Sequence, residues 1–176
     1  MRHDILQARH SQFETQNFSL TYSIFCIGKT AAGYIAEGCD EYSRRLRHYG
    51  TVVWKTLPDV KNGASLPQDV LCGREGELFM RELVDSDVVV LLDAAGRQYT
   101  SPGFARFVQK FANAGARRLC FLIGGAYGFS PAVEARADER LSLSPMTFPH
   151  DLVRLVFSEQ LYRAMTILRG EQYHHE

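Results

Sequence analysis

The stretch at residues 141–168, LSLSPMTFPHDLVRLVFSEQLYRAMTIL, limits what this chain can fold into more than any other part of it. Pro145 and Pro149 hold the backbone between them extended, so the segment continues neither a strand nor a helix. Thr147 reads as a helix N-cap, Pro149 stands at or near the first helical position, and Asp151 lies in the first turn, where negative charge suits the dipole. At about 100° per residue, Leu152, Leu155, Val156, Tyr162 and Thr166 form one stripe, and Val153, Phe157, Ala164, Ile167 and Leu168 cover most of the opposite side. A helix that is apolar nearly all round is buried. In a chain of 176 residues, one side then meets the domain's own sheet and the other a second copy, so a homodimer is expected.

The helix needs a sheet to cover, and the preceding sequence supplies it. Residues 21–28, TYSIFCIG, and 87–93, DVVVLLD, read as buried strands, and 51–57, TVVWKTL, and 117–125, RRLCFLIGG, as further strands, with a short strand at 140–142. Helical spacing covers 34–49, about 69–84, 102–114 and about 131–137, with Gly73 and Gly76 weakening the second of these. The alternation predicts an α/β fold with a mainly parallel sheet and helices on both faces. Ligands of such sheets bind beyond the carboxyl ends of the strands, which here carry Leu92-Asp93, Gly124-Gly125 and residues 143–148. Residues 1–20 have mixed polarity and no clean period and read as a poorly ordered leader or a misassigned start, leaving 21–176 as one domain.

Charge and composition narrow the function. Lys+Arg and Asp+Glu both number 20, so no net field draws in nucleic acid or membrane, and any nucleic-acid contact must come from local patches. Arg44, Arg45 and Arg47 suit either a helix C-terminus or phosphate contact. Cys26, Cys39, Cys72 and Cys120 lack paired spacing and read as reduced packing residues. No apolar run is long enough to span a membrane, and the expected location is cytoplasmic. Metal-site spacing is absent; His3 and His10 stand without further ligands, and His174-His175 read as a ligand pair, a tail or a tag remnant.

The motifs exclude several chemistries. GGAYGFS, at 124–130, permits close backbone approach by a ligand but lacks the G-x-G-x-x-G dinucleotide spacing. Gly28-Lys29-Thr30 carries the end of a phosphate loop without its leading glycine, and no serine nucleophile elbow occurs. Glu159 projects from the apolar stripe with Arg163 four residues on, which suits either an internal ion pair or an interface.

Taken together, the strand ending in Leu92-Asp93, FLIGGAYGFS, the 141–168 stretch with its following Arg169-Gly170, and the terminal QYHHE resemble the SPOUT-class pseudouridine N3-methyltransferases of large-subunit ribosomal RNA, the methyltransferase H family. The resemblance spans about residues 21–176. It implies a C-terminal trefoil knot, S-adenosylmethionine as methyl donor with no metal, a homodimer, and action on the assembled ribosome. For the RNA contact that it implies, Arg44, Arg45 and Arg47, then Arg117 with Arg118, then Arg154 with the tail are the candidate patches. By motif, it implies cofactor contacts at Leu92, Gly124, Leu143, Ser144, Pro145, Met146, Thr147 and Phe148. Tyr173 and His174 would position the base and assist proton loss from the partner subunit's side, and Arg154 would orient the nucleotide. Gln172 departs from the family's usual proline before the terminal tyrosine. A catalytically silent ribosome-binding dimer of the same fold is the competing expectation, and a flavodoxin-like nucleotide binder is a third.

Overall fold

The computed structural model describes residues 20–173; the leader expected at 1–20 and the pair His174-His175 fall outside that range, except for Leu20. Five strands, β1 (Thr21–Ile27), β2 (Thr51–Leu57), β3 (Val88–Gln98), β4 (Arg118–Ile123) and β5 (Glu139–Ser142), form one sheet in the order β2-β1-β4-β3-β5. Every pairing is parallel. The helices are α1 (Gly33–Leu46), α2 (Gln68–Glu82), α3 (Ser101–Asn113), α4 (Pro131–Arg136) and α5 (His150–Leu168).

Side-chain alternation along the strands assigns each helix to a face. Tyr22, Ile24, Val90, Leu119 and Phe121 point to the side covered by α1, α3 and α5, where Phe104, Phe157 and Leu161 complete the core. Phe25, Val89, Leu91, Cys120 and Leu122 point to the other side, against Phe79 of α2 and Val133 of α4. The α/β reading of the sequence is therefore the observed architecture. Of the two glycines in α2, Gly76 has a packing reason: a Cβ there would stand 2.2 Å from Ser130 Oγ, so the helix can approach the start of α4 only without one, whereas nothing lies within 4 Å of the Cβ position at Gly73.

Two local expectations need correction. Thr147 is not the N-cap of α5; Pro149 takes that place without a side-chain cap, and Asp151 instead accepts a hydrogen bond from the Ala31 amide at 3.0 Å. The strand expected to stop at Asp93 also runs on. Leu92 and Arg97 both stand opposite Leu141, so residues 93–96 form a wide bulge inside β3. The intervening backbone is pressed close to β5: a Cβ on Gly96 would meet the Leu141 backbone at 2.7 Å.

The last helix follows the sequence argument more closely. Phe157, Leu161, Ala164 and Met165 are buried against the sheet, and Phe157 stacks on Phe121 at 4.7 Å. Leu152, Leu155, Val156 and Tyr162 form the outer row and are half-buried. Thr166, placed with that outer row by periodicity, is buried.

Candidate active site

A cleft of about 750 Å³, counting its open mouth, sits at the carboxyl ends of β3, β4 and β5. Each strand end delivers one wall. Leu92 with Asp93 and Ala94 of the β3 bulge form the first; Ile123, Gly124, Gly125, Gly128 and Phe129 the second; Leu141, Leu143, Ser144, Met146, Thr147 and Phe148 the third. His150 and Val153, from the first turn of α5, close the remaining side.

The shape of these walls is set by backbone chemistry. Gly128 has φ +81°, donates its amide to the Gly125 carbonyl at 3.2 Å, and so folds the chain back on itself. A Cβ on Gly124 would lie 2.8 Å from the Gly128 carbonyl oxygen, so the turn can close this tightly only on a glycine. Cys72 of α2 donates from its thiol to the Tyr127 carbonyl at 3.5 Å, tying that turn to the helix behind it. In the third wall, Ser144 Oγ accepts from the Met146 amide at 2.9 Å while the Ser144 carbonyl accepts from Ser142 Oγ at 2.9 Å. A loop with two prolines and two such side-chain bonds is held to one shape. The cleft thus offers apolar side chains and peptide groups, which suit an adenine ring and a short polar chain.

The sequence-predicted residues divide by position. Leu92, Gly124, Leu143, Ser144, Met146, Thr147 and Phe148 converge on the cleft, whereas Pro145 shapes the loop without lining it. Asp93, Phe129, His150 and Val153 line it too and were not singled out from sequence as cofactor contacts. The last two needed the contact between the α5 N-terminus and the strand ends, which no local motif encodes.

Arg154 requires a correction. Its side chain does not face a nucleotide: the residue is 2% exposed, and its guanidinium donates to the Ile27 carbonyl at 2.6 Å, the Gly28 carbonyl at 2.9 Å and Thr30 Oγ1 at 2.9 Å. Asp151 lies 3.6 Å away as counter-charge. The arginine therefore clamps the carboxyl end of β1 beneath the first turns of α5. Other candidate RNA cations are also engaged. Arg44 and Arg45 pair with Glu41, and Arg118 pairs with Asp87 while donating to the Glu82 carbonyl at 2.8 Å. Burial pushes the Asp87 carboxyl upward, but the Arg118 guanidinium and the Val84 amide outweigh it and hold the group below the ordinary carboxylate range.

Tyr173 lies at the far end of α5, packed edge-on against Tyr162 at 4.8 Å and donating to Glu159 at 3.2 Å. Glu159 also takes Arg163, the pair anticipated from spacing. Burial, then hydrogen bonding with Tyr42 and the Glu159 charge, push the Tyr173 phenol upward, so in this arrangement it is a donor and not a base. Among the described residues no group of His, Cys, Asp and Glu is arranged to hold a metal, and no helix is long and apolar enough to cross a membrane.

A parallel sheet with a glycine turn and a rigid proline loop meeting at its strand ends defines a SPOUT methyltransferase, and the sequence profile described as "Predicted SPOUT methyltransferase" matches residues 20–174. Among relatives, the chain is 46% identical over 153 residues to the ribosomal RNA large subunit methyltransferase H of Parabacteroides distasonis, covering 87% of this chain and 98% of the relative. The protein of the same name from Christiangramia forsetii is 47% identical over 156 residues, 89% and 99% of the two chains, and that from Porphyromonas gingivalis is 47% identical over 153 residues, 87% and 98%. The chain belongs to the ribosomal RNA large subunit methyltransferase H family.

Proposed function

We propose that this protein methylates N3 of a pseudouridine in large-subunit ribosomal RNA, acting as a homodimer on the assembled ribosome with S-adenosylmethionine held in the strand-end cleft. A trefoil-knotted path around the cleft loops is part of the same proposal. The observation that carries the reading is the convergence of Leu92, Gly124 and the loop 143–148 on one cleft in a chain of this family. The absence of a Cβ at position 124 lets the Gly128 carbonyl close over the strand end, and peptide N–H and C=O groups there supply polar contacts without a metal. When bound, the donor supplies an electrophilic methyl for in-line transfer; alignment of the base is left to the protein.

That alignment calls for a second subunit. The tail folds back along α5 so that Tyr173 bonds Glu159, a helix position roughly 14 Å beyond His150 at 1.5 Å per residue, and Tyr173 does not line the cleft of its own chain. The half-buried Leu152 and Val156 of α5 support pairing through this helix, whereas Leu155 and Tyr162 pack against Gly38 and Tyr42 of α1 in their own chain. Tyr173 then positions the base by donating a hydrogen bond, and His174 is the proposed acceptor of the imide proton. Arg154 acts as a positioning residue, keeping the β1 end and the α5 start in register.

The test is incubation with labelled donor and assembled ribosomes from a strain lacking the activity. Label at pseudouridine N3 is expected; folded, donor-binding protein that leaves the RNA unlabelled refutes the reading, and ribosome association without label would identify the silent dimer. Mixing Tyr173→Phe with Gly124→Ala subunits should restore activity that neither variant has alone, and no restoration would sink the shared site.

A further inference from the structure

The cleft accounts for the donor but not for how an uncharged protein grips a polyanion. About half of the described cations are matched, among them Lys55 with Glu82, Arg81 with Glu77, Arg136 with Asp138, and Arg140 with Asp93 and Glu134, while Arg47 and Arg117 of the candidate patches have no acidic partner among the described residues. Arg97 and Arg106 are exposed and have no acidic partner among the described residues, and both line one groove with Tyr99, Lys110 and Glu139 over the buried ring of Phe107. Glu139 is the groove's single acid and is spent on Lys110 at 3.2 Å. Three cations against one carboxylate leave a local charge of plus two on a chain whose formal net charge is zero.

The groove is built, and its place is informative. The Arg97 guanidinium lies over the Tyr99 ring, 5.0 Å from its centroid, a contact that orients the cation without neutralising it. Its N–H groups stay available for oxyanions, which guanidinium recognises with a planar fork. Arg97 is also the residue on which the β3 bulge closes, opposite the same Leu141 that stands opposite Leu92. Asp93 and Ala94 of that bulge form a lip of the donor cleft. Cleft and groove thus share one rigid loop, within roughly 14 Å of chain from Asp93 to Arg97.

Resting on the methyltransferase reading above, we propose that this groove is the RNA docking surface, with Arg97 and Arg106 taking phosphodiester oxygens of the strand that flanks the base entering the cleft. The test is binding of the full-length protein to assembled ribosomes from a strain lacking the activity over a salt series, with Arg97→Ala/Arg106→Ala compared against wild type. Two lost phosphate contacts should flatten the slope of log K against log salt by about 1.4–1.8 and lower low-salt affinity about tenfold or more, with S-adenosylmethionine affinity and thermal unfolding unchanged. Arg74→Ala, another exposed arginine without an acidic partner, serves as control and should bind as wild type does. Unaltered affinity and slope in the double variant, or an equal loss in the control, overturns the groove assignment. Methyl transfer by wild type is read in the same preparation: groove-dependent binding without label sinks the enzymatic reading and leaves the groove, whereas label with groove-independent binding sinks the groove alone.

Discussion

Replacing Arg154 by methionine separates a clamp from a nucleotide ligand. The guanidinium makes three hydrogen bonds, to Ile27, Gly28 and Thr30, from a position that is 2% exposed, and Asp151 at 3.6 Å balances its charge. Methionine preserves the length of the stem and removes all three donors. Two strand-end carbonyls and the Asp151 carboxylate then lose their partner, although Asp151 keeps the Ala31 amide at 3.0 Å. Breaking a buried charged cluster of this kind costs about 3–5 kcal/mol. For a chain of this size each kcal/mol lowers Tm by about 2–4 °C, so the melting point should fall by roughly 6–20 °C. Thermal unfolding without donor or RNA, at one fixed protein concentration because association shifts Tm, is the measurement. Arg154→Lys should recover only part of the loss, since an ammonium cannot bridge both carbonyls and the Thr30 hydroxyl in the same plane. A methionine variant within about 1 kcal/mol of wild type that nevertheless loses methyl transfer would refute the clamp and return Arg154 to the nucleotide.

Gly124→Ala should weaken S-adenosylmethionine binding by about tenfold or more in calorimetry, because relieving the 2.8 Å contact with the Gly128 carbonyl displaces the glycine turn. Gly115→Ala is the control: φ is +74° but nothing lies within 4 Å, so it should lose stability while keeping donor affinity. Asp87→Asn should cost about 2 kcal/mol at neutral pH, in the range for a hydrogen bond to a charged group. Because the Asp87 carboxyl is held below its unfolded value, its contribution is present above that value and vanishes as pH falls through the folded one. Wild type and variant should therefore converge in strong acid, and a constant gap down to pH 2 would contradict the pairing. Glu159→Ala should raise the dimer dissociation constant in sedimentation equilibrium, and an unchanged constant would place that carboxylate outside the interface.

Much of the fold was legible because the signals are local. The continuous apolar run at 87–93 can only be a strand covered on both sides, and the helix carrying Phe157 and Leu161 can only be buried. The proline-bracketed loop and the glycine turn were likewise visible, since proline and glycine restrict or free the backbone wherever they stand. The setting of Arg154 was not legible for the complementary reason. Only the resemblance gave it a role, and whether its side of α5 meets water or the β1 carbonyls depends on a partner more than 120 residues earlier.

The sequence by itself determined the order of elements, the parallel sheet they form, and the residues at the strand ends that line the cleft. Only the tertiary structure decided which cations remain free. Arg44, Arg45 and Arg118 are spent on carboxylates, whereas Arg97 and Arg106 are left in a groove beside the cleft. The physical reason is that backbone preference and burial are properties of a residue and its near neighbours, while neutralisation of a charge depends on distance through space. That distance is set only when the strands pair and the bulge at residues 93–96 closes on Leu141.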